Sequence, residues 1–235
     1  MTPVLAALAA QPRRAKLLPA VLASLRPQVD RLHVYLNGWD SVPACVRELA
    51  DAHVLARENE GAERKLHWAE EWQGVYCSTD DDIVYPSDYV ATMTAAIERL
   101  QGRAIVTAHG RVYLGKPRGV HNVAPASVGH YDRNVRPGRF INHGGTGVMA
   151  WDASRVRVPS SFPLKNIADM QVAVWAQRTA TPIWLIPHEA HWFKPLALLD
   201  PHGLFRASQT ERHARRNALL REQGAREPWR VFEVS

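Results

Sequence analysis

The front of the chain alternates short apolar segments with helical patterns, and this alternation constrains the fold more than any other feature. Residues 4–9, 32–36 and 53–55 are apolar runs of strand length. Between them, leucines and valines recur at helical spacing over residues 17–25, and residues 42–49 fit a short helix. Repeated strand, helix, strand is typical of a parallel sheet with crossover helices. The pattern therefore predicts an α/β domain with a Rossmann-like, mostly parallel central sheet flanked by helices.

The remaining elements follow from the same periodicity. Residues 108–145 lack clear periodicity and are rich in Gly, Pro, His and Arg, and so long an irregular segment inside a domain is usually functional. Ser87 or Asp88 is placed to cap a helix that runs to Leu100. We predict one domain over residues 1–205 and a basic C-terminal helix and tail over 206–235. The further predictions are helices over 60–72, 167–177 and 208–223, and strands over 74–79, 103–107, 147–151 and 183–186.

Composition excludes several classes of protein. Hydrophobic residues make up 46% of the 235, which excludes a disordered chain. No apolar run approaches the roughly 18 residues of a membrane span, and the apolar N-terminus lacks the positive region of a signal peptide. The two cysteines are far apart and lack zinc-ligand spacing. They predict a reducing compartment, with the cytoplasm as the expected location.

The net charge of +6 is unevenly distributed. Residues 1–102 carry 14 acidic and 10 basic side chains, whereas the rest of the chain carries 9 acidic and 19 basic ones. Such asymmetry predicts a cation or metal site in the front half and an anionic partner for the back half. Arginines scattered over a solvated surface would give the same count.

An aspartate triplet, Asp80-Asp81-Asp82, follows an apolar predicted strand. Open α/β sheets bind ligands beyond the carboxyl ends of their strands. Adjacent carboxylates raise one another's pKa, and a hard divalent cation such as Mg²⁺ or Mn²⁺ offsets their repulsion. A solvated acidic turn is the alternative for an isolated triplet. The position after a buried strand favours a metal site.

The aspartate triplet, together with Tyr85-Pro86, is the most specific of several motifs along the chain. The others count through their order: Gln11-Pro12-Arg13-Arg14, residues 34–40, residues 60–65, residues 143–147 and residues 166–170. Together they resemble the motifs of glycosyltransferases with the GT-A fold, in which the triplet matches the Asp-x-Asp motif. The likeness is to small family-2-like enzymes, of bacterial or phage type, in the nucleotide-diphospho-sugar transferase superfamily. The resemblance covers about residues 1–198.

The resemblance implies transfer of a sugar from a nucleotide-diphosphate sugar donor to a hydroxyl group. A divalent metal, Mn²⁺ or Mg²⁺, would stabilise the leaving diphosphate. Residues 1–102 form the implied nucleotide-sugar side, where Asp82 and Asp80 are the metal ligands. For Lys65, an ordinary surface lysine on a helix is an equal alternative. The donor-binding candidates are Pro12, Arg13, Asn37, Lys65, Asp80 and Asp81.

Residues 103–205 form the implied acceptor side. Asp169 is the candidate general base of an inverting transfer, because a carboxylate can take the proton of the acceptor hydroxyl. At a helix start, aspartate also caps the helix, and a retaining transfer stays open. His191, beside Trp192, is a further candidate for the metal. The acceptor-side candidates are His109, His143, Gly145 and Thr146.

The basic back half predicts an anionic acceptor. Residues 103–139 carry seven basic side chains and one acid, Asp132, and arginine favours bidentate contacts with phosphates and carboxylates. The expected acceptor is a bacterial surface glycan or a glycolipid at a membrane surface, and DNA would also fit the charge. The alternatives are a phage-type enzyme that glycosylates hydroxymethylated DNA bases, a non-catalytic nucleic-acid-binding protein and a metal-dependent phosphohydrolase.

Overall fold

A computed structural model describes residues 2–119, 128–196 and 209–234 of the chain. Its helices are α1 (Leu18–Leu25), α2 (Ala44–Leu49), α3 (Tyr89–Arg99), α4 (Ala168–Arg178) and α5 (Gln209–Arg226), with 3-10 helices at Pro12–Arg14, Arg26–Gln28 and Ala62–Leu66. Its strands are β1 (Val4–Ala10), β2 (Arg31–Asn37), β3 (Ala52–Ala56), β4 (Val75–Asp80), β5 (Ile83–Val84), β6 (Ile105–Thr107), β7 (Gly110–Arg111), β8 (Val128–Gly129), β9 (Arg139–Ile141), β10 (His143–Gly144), β11 (Val148–Asp152), β12 (Ile183–Leu185) and β13 (Lys194–Pro195).

The central sheet has the order β3-β2-β1-β4-β11-β6-β12-β9. The first four of these strands are mutually parallel, as the predicted crossover helices require. β11 runs antiparallel between β4 and β6, β12 is parallel to β6, and β9 closes the far edge antiparallel. The prediction of an α/β chain with a mostly parallel central sheet flanked by helices is therefore confirmed.

Alternating residues of β1 supply the two faces of the core. Ala6 and Leu8 pack in one cluster with the apolar sides of α1 and α3, whereas Leu5 and Ala7 pack in a second cluster that contains residues of α4. Successive side chains of a strand point to opposite faces, so a strand buried on both faces must be apolar throughout. This explains why residues 4–9 carry no polar side chain.

The carboxyl ends of β1, β2 and β4 meet at one edge of the sheet. Ala9 of β1 lies beside Asp80 of β4, and β11 begins at the same edge, with Val148 beside Thr79. Because β2 and β4 lie on opposite sides of β1, the order in which strands are added to the sheet reverses at β1. Such switch points are where open α/β sheets bind ligands.

Two local predictions are wrong. The helix predicted over residues 60–72 is a 3-10 helix, Ala62–Leu66, followed by turns, because Gly61 enters it at a φ of 102° and Tyr76 binds its end. The Tyr76 hydroxyl donates to the Lys65 carbonyl at 2.6 Å, which fixes this segment on β4. Asp88 occupies the N-cap position of α3 without a capping bond from its side chain. Its carboxylate accepts instead from the Trp192 indole at 2.9 Å.

The basic C-terminal helix packs on the rest of the chain. Leu220 of α5 shares a small buried cluster with Met170 and Val174 of α4 and with Trp229. The Arg178 Nε donates to the Gln223 amide oxygen at 3.4 Å. The predicted boundary between residues 205 and 206 lies outside the described residues. No helix in the described part of the chain is long and apolar enough to cross a membrane, and both cysteines are free.

Candidate functional site

The three adjacent aspartates at the end of β4 have different surroundings. Asp81 is buried, accepts from the Gln11 backbone N–H at 3.0 Å and forms an ion pair with Arg14. The second guanidinium nitrogen of Arg14 lies 2.8 Å from Asp82. Arg14 therefore joins Asp81 and Asp82 to the turn that follows β1. Asp80, whose side chain is 36% exposed, is the most accessible of the three.

The crowding of the carboxylates shows in the pKa of Asp82. Burial and the neighbouring Asp80 raise it to about 7, against the opposing effect of Arg14. Burial is also the main reason that the pKa of Asp81 is raised. The ionised carboxylates of Asp80 and Asp82, at the carboxyl end of β4, thus repel each other, and a bound cation reduces such repulsion.

Lys65 lies under this cluster rather than on the surface. Its side chain is only 5% exposed, and its ammonium group donates to the Asp80 carboxylate. Burial alone would lower the pKa of Lys65, but Asp80 and Asp169 outweigh burial and raise it above its ordinary value. Lys65 therefore stays charged and interacts with two carboxylates from different elements. Lys65 is therefore not an ordinary surface lysine.

Glu63, two residues earlier, connects the Lys65 segment to the start of α4. The buried Glu63 carboxylate accepts the backbone N–H groups of Asn166 at 2.8 Å and Ile167 at 2.6 Å. In return, the Asn166 side chain accepts from the Ala62 N–H at 3.1 Å. Asn166 has a φ of 64°, a conformation that asparagine tolerates better than most residues. These bonds bring Asp169, in the first turn of α4, to Lys65.

Asp169 binds Thr146 rather than capping its own helix. One carboxylate oxygen accepts both the Thr146 backbone N–H at 2.9 Å and the Thr146 hydroxyl at 2.6 Å. The residue before α4 is Ile167, and no side-chain capping bond forms there. The capping role considered for Asp169 is therefore wrong, and the carboxylate faces the loop between β10 and β11.

The charge of Asp169 is stabilised by its neighbours. Burial would raise the pKa of Asp169, but His143, Arg216, Lys65 and the Thr146 hydroxyl together hold it below its usual range. Burial itself lowers the pKa of His143 well below its ordinary value, so at neutral pH this ring is uncharged. The cationic partners of Asp169 at neutral pH are thus Lys65 and Arg216.

Glycine residues of the 143–147 loop make room for the site. A Cβ on Gly147 would collide with the Asp80 carboxylate, and one on Gly145 would lie 2.8 Å from the His109 ring. The Tyr85 hydroxyl donates to the Gly147 carbonyl at 2.5 Å and accepts from the Asp80 N–H at 2.7 Å. The predicted acceptor-side residues Gly145, Thr146 and His109 are therefore brought close to the aspartates.

Four of the predicted site residues have other surroundings. Pro12 and Arg13 are exposed in the turn after β1. Asn37 is buried, and its amide binds Asn59, Glu60 and Gly61, so it positions the loop before Lys65. His191 is exposed, and its backbone N–H donates to the Asp132 carbonyl at 3.3 Å. The assignment of Arg13 to the donor and of His191 to the metal stays a prediction.

Sequence reasoning missed Arg14, Glu63, Tyr85 and Arg216 as members of the site. Arg14 stands beside the chosen Arg13, and only the 3-10 turn after β1 decides which of the two faces Asp81. Glu63 lies in the quoted segment 60–65, but its partners are more than 100 residues away. Arg216 lies on a helix that sequence alone treats as a separate basic tail. Tyr85 lies three residues after Asp82 and belongs to the quoted aspartate motif, which is the available signal.

The donor set of this edge suits a hard divalent cation. Asp80 and Asp82 offer carboxylate oxygens, and the pKa of Asp82 is raised by burial first and by the neighbouring Asp80 second. Among the residues that the structure describes, no group of three or more His, Cys, Asp or Glu side chains is arranged to hold a metal. Mg²⁺ and Mn²⁺ sites commonly use one or two carboxylates and complete their shell with phosphate oxygens and water. The residues therefore fit a cation that is bound together with a phosphate ligand.

Comparison with known proteins assigns no family to the chain. No family model matches it, and no curated protein sequence matches it significantly. Among solved structures, the crystal structure of 4-diphosphocytidyl-2C-methyl-D-erythritol synthase matches with a TM-score of 0.49 and 10% sequence identity. The match covers 94% of this chain and 99% of that one. A likeness of this degree identifies neither an activity nor a substrate.

Proposed function

We propose that the chain is a metal-dependent glycosyltransferase of the GT-A type, which moves a sugar from a nucleotide-diphosphate donor to a hydroxyl of an anionic acceptor. One observation carries the proposal. Lys65 contacts Asp80, the accessible member of the aspartate cluster, and its charge interacts with Asp169 at the start of α4. Lys65 thus links the carboxylates that we propose as cation ligands to the candidate general base, in the order along the chain that the GT-A resemblance implies.

On the donor side, Asp80 and Asp82 would hold the divalent cation. When bound there, the cation supplies positive charge for the diphosphate leaving group. Arg14 contacts the Asp82 carboxylate, Lys65 contacts the Asp80 carboxylate, and the missing side chain of Gly147 leaves room beside Asp80. Such pre-organised charge stabilises a leaving group without rearrangement during the reaction.

On the acceptor side, Asp169 would take the proton. Thr146 occupies one oxygen of the carboxylate, so the other is the acceptor for the substrate hydroxyl. The hydroxyl oxygen attacks the anomeric carbon, the bond from that carbon to the diphosphate oxygen breaks, and the electron pair leaves with the diphosphate. Because the low pKa of Asp169 makes it a weak base, the proton would move late, as the new bond forms. This is the inverting course.

A nucleotide-binding screen tests the proposal. Thermal shifts are measured with UDP, GDP, CDP and ADP, each with and without Mn²⁺, on the wild type, on Asp82→Ala and on Glu98→Gln. Glu98 is an exposed acid on α3 and serves as the matched control. We expect one nucleotide to stabilise the wild type and the control only with Mn²⁺, and Asp82→Ala to lose this effect. Mass spectrometry of nucleotide-sugar hydrolysis then identifies the donor.

Three outcomes contradict the proposal, and two of them favour a different function. A wild type that no nucleotide stabilises is not a nucleotide-sugar enzyme. Tight DNA binding that is indifferent to nucleotide and to Asp82→Ala indicates a nucleic-acid-binding protein, whose affinity would fall steeply with salt. Release of phosphate from simple esters indicates a metal-dependent hydrolase. A glycosyltransferase that accepts hydroxymethylated DNA and no glycan would keep the reaction and change the acceptor.

A further inference from the structure

Basic side chains from three elements converge beside Asp169, and we call Arg111, His143, Arg212 and Arg216 the cationic cluster. Arg111 and His143 are directly paired residues of the antiparallel strands β7 and β10, so their side chains share a face. Arg212 and Arg216 lie one turn apart on α5 and share a face of that helix. The Arg212 Nε donates to the Asn166 carbonyl at 2.9 Å, which holds α5 against the start of α4.

Arg216 is the member of this cluster whose electrostatic surroundings are defined in most detail. Arg216 faces Asp169 and Tyr113, and two further guanidinium groups, of Arg212 and Arg111. Burial and the repulsion of those two arginines lower the pKa of Arg216, despite the opposing effect of Asp169. Arg216 thus lies close both to Asp169 and to two other guanidinium groups.

Two buried polar groups of the cluster lack hydrogen-bond partners. His143 is 1% exposed, and within the described residues neither nitrogen of its ring has a hydrogen bond. The Nε of Arg216 is likewise buried and without a partner there. Buried polar groups in proteins are nearly always hydrogen-bonded, so such atoms indicate a place that a ligand fills. A neutral imidazole and a guanidinium both donate to oxygen anions.

We propose that the cationic cluster binds the anionic group of the acceptor, a phosphate or a carboxylate carried by the sugar next to the hydroxyl that reacts. The inference rests on the proposed glycosyltransferase function, because it takes Asp169 as the base that this hydroxyl must reach. The planar fork of arginine matches the oxygen pairs of phosphate and carboxylate. A metal cation is excluded as the ligand, because guanidinium groups have no lone pair to offer. The cluster would thus select acceptors by charge and orient them.

Calorimetric titration with four small probes tests the inference. The probes are inorganic phosphate, glucose 6-phosphate, glucuronate and glucose, at constant ionic strength. The proteins are the wild type, Arg216→Gln and Arg221→Gln, since Arg221 is an exposed arginine of the same helix. We expect the anionic probes to bind the wild type, glucose not to bind, and Arg216→Gln to weaken binding by about tenfold while Arg221→Gln changes it less than about twofold. The stronger of phosphate and carboxylate identifies the anion.

A second measurement uses only the wild type, so its result does not depend on whether a variant folds. Binding of phosphate beside His143 should shift the NMR signals of its ring in the wild type, and leave those of the exposed His53 unchanged. The inference is overturned if no anionic probe binds, if Arg216→Gln and wild type bind alike with the His143 signals unmoved, or if short duplex DNA binds where the small anions do not. Nucleotide binding is measured separately, in the Mn²⁺ thermal-shift screen with Asp82→Ala. If the wild type binds phosphate but no nucleotide, the proposed glycosyltransferase function is wrong. If it binds a nucleotide but none of the anionic probes, only the proposed anion site is wrong.

Discussion

The buried ammonium group of Lys65 donates to the carboxylate of Asp80, across 15 residues of sequence and at the point where the central strand β4 ends. Neither residue would be stable there alone. A buried lysine without an acid loses its charge, and Asp80 stands beside two further carboxylates. The ion pair therefore stabilises the fold and also keeps both Lys65 and Asp80 charged in the candidate site.

Replacing Lys65 with Met should destabilise the fold and abolish metal-dependent nucleotide binding. The change leaves Asp80 and Asp169 without their shared cation. Because the Asp80 side chain is 36% exposed and water screens the pair, we expect a loss of about 2 kcal/mol rather than the larger cost of breaking a fully buried pair. Urea denaturation measures it. Lys16→Met makes the same change at an exposed position, and an equal loss there would contradict the role of Lys65.

Arg14→Gln should destabilise the protein by about 3 kcal/mol, whereas Arg13→Gln should change stability by less than about 0.5 kcal/mol. Arg14 is the ion-pair partner of Asp81, and both side chains are largely buried, at 10% and 4% exposure. Without Arg14, Asp81 remains as a buried charge that keeps the hydrogen bond from the Gln11 N–H but has lost its ion-pair partner. Chemical denaturation of the two neighbouring variants decides. Similar stabilities would show that the ion pair contributes little.

Gly147→Ala should reduce nucleotide affinity in the presence of Mn²⁺ by about tenfold or more, because a Cβ there collides with the Asp80 carboxylate and displaces it from Lys65. Gly224→Ala is the matched control. It lies within α5, where a Cβ has only ordinary contacts, so it should raise stability by about 0.5–1 kcal/mol. Full nucleotide affinity in Gly147→Ala would mean that Asp80 does not take part in binding.

The order of the elements was predictable because it follows from local patterns. Apolar runs of strand length and leucines at helical spacing gave the parallel half of the sheet and placed the aspartates at the end of β4. The segment 60–72 was not predictable in this way. Its apolar residues, such as Trp68, face β2, where the Trp68 ring lies 4.9 Å from His33, and they mimic a helical period without forming a helix. Tertiary contacts decided its conformation.

The candidate site was predictable where residues are adjacent in sequence and not where they meet across the fold. Asp80, Asp82 and Asp169 could be chosen from their positions beside a strand end and a helix start. The contact of Glu63 with Asn166 and Ile167 joins segments more than 100 residues apart. The choice between Arg13 and Arg14 depends on one turn of backbone. Arg216 reaches Asp169 only because α5 folds back onto α4. No periodicity in a single sequence contains that information.

The stability of the protein should fall as the pH drops below about 6.5, in part because of His109. Burial, together with His130, lowers the pKa of His109 to about 3. Since its unfolded pKa is near 6.5, the unfolded state binds the proton first, and the contribution of His109 is complete above pH 6.5 and is lost as the pH falls toward 3. The slope is at most about 1.4 kcal/mol per pH unit for one proton. Denaturation at pH 7 and pH 5 should show a smaller fall in His109→Gln than in the wild type. His53→Gln, at an exposed histidine, should behave as the wild type does.

Asp169→Asn should lower kcat by about 10²–10⁴-fold and leave nucleotide affinity unchanged, because the amide keeps a bond with the Thr146 N–H but cannot take a proton. Thr146→Val tests the same carboxylate from its other side. It removes the 2.6 Å hydroxyl bond that helps to hold the pKa of Asp169 down. We therefore expect the acidic limb of the pH–rate profile to move to higher pH in Thr146→Val, with a far smaller loss of kcat. The assay measures the nucleotide that is released from the donor during transfer to an acceptor identified by screening. If Asp169→Asn transferred sugar at the wild-type rate, the base would be another group, and a retaining course would become the better account of the site.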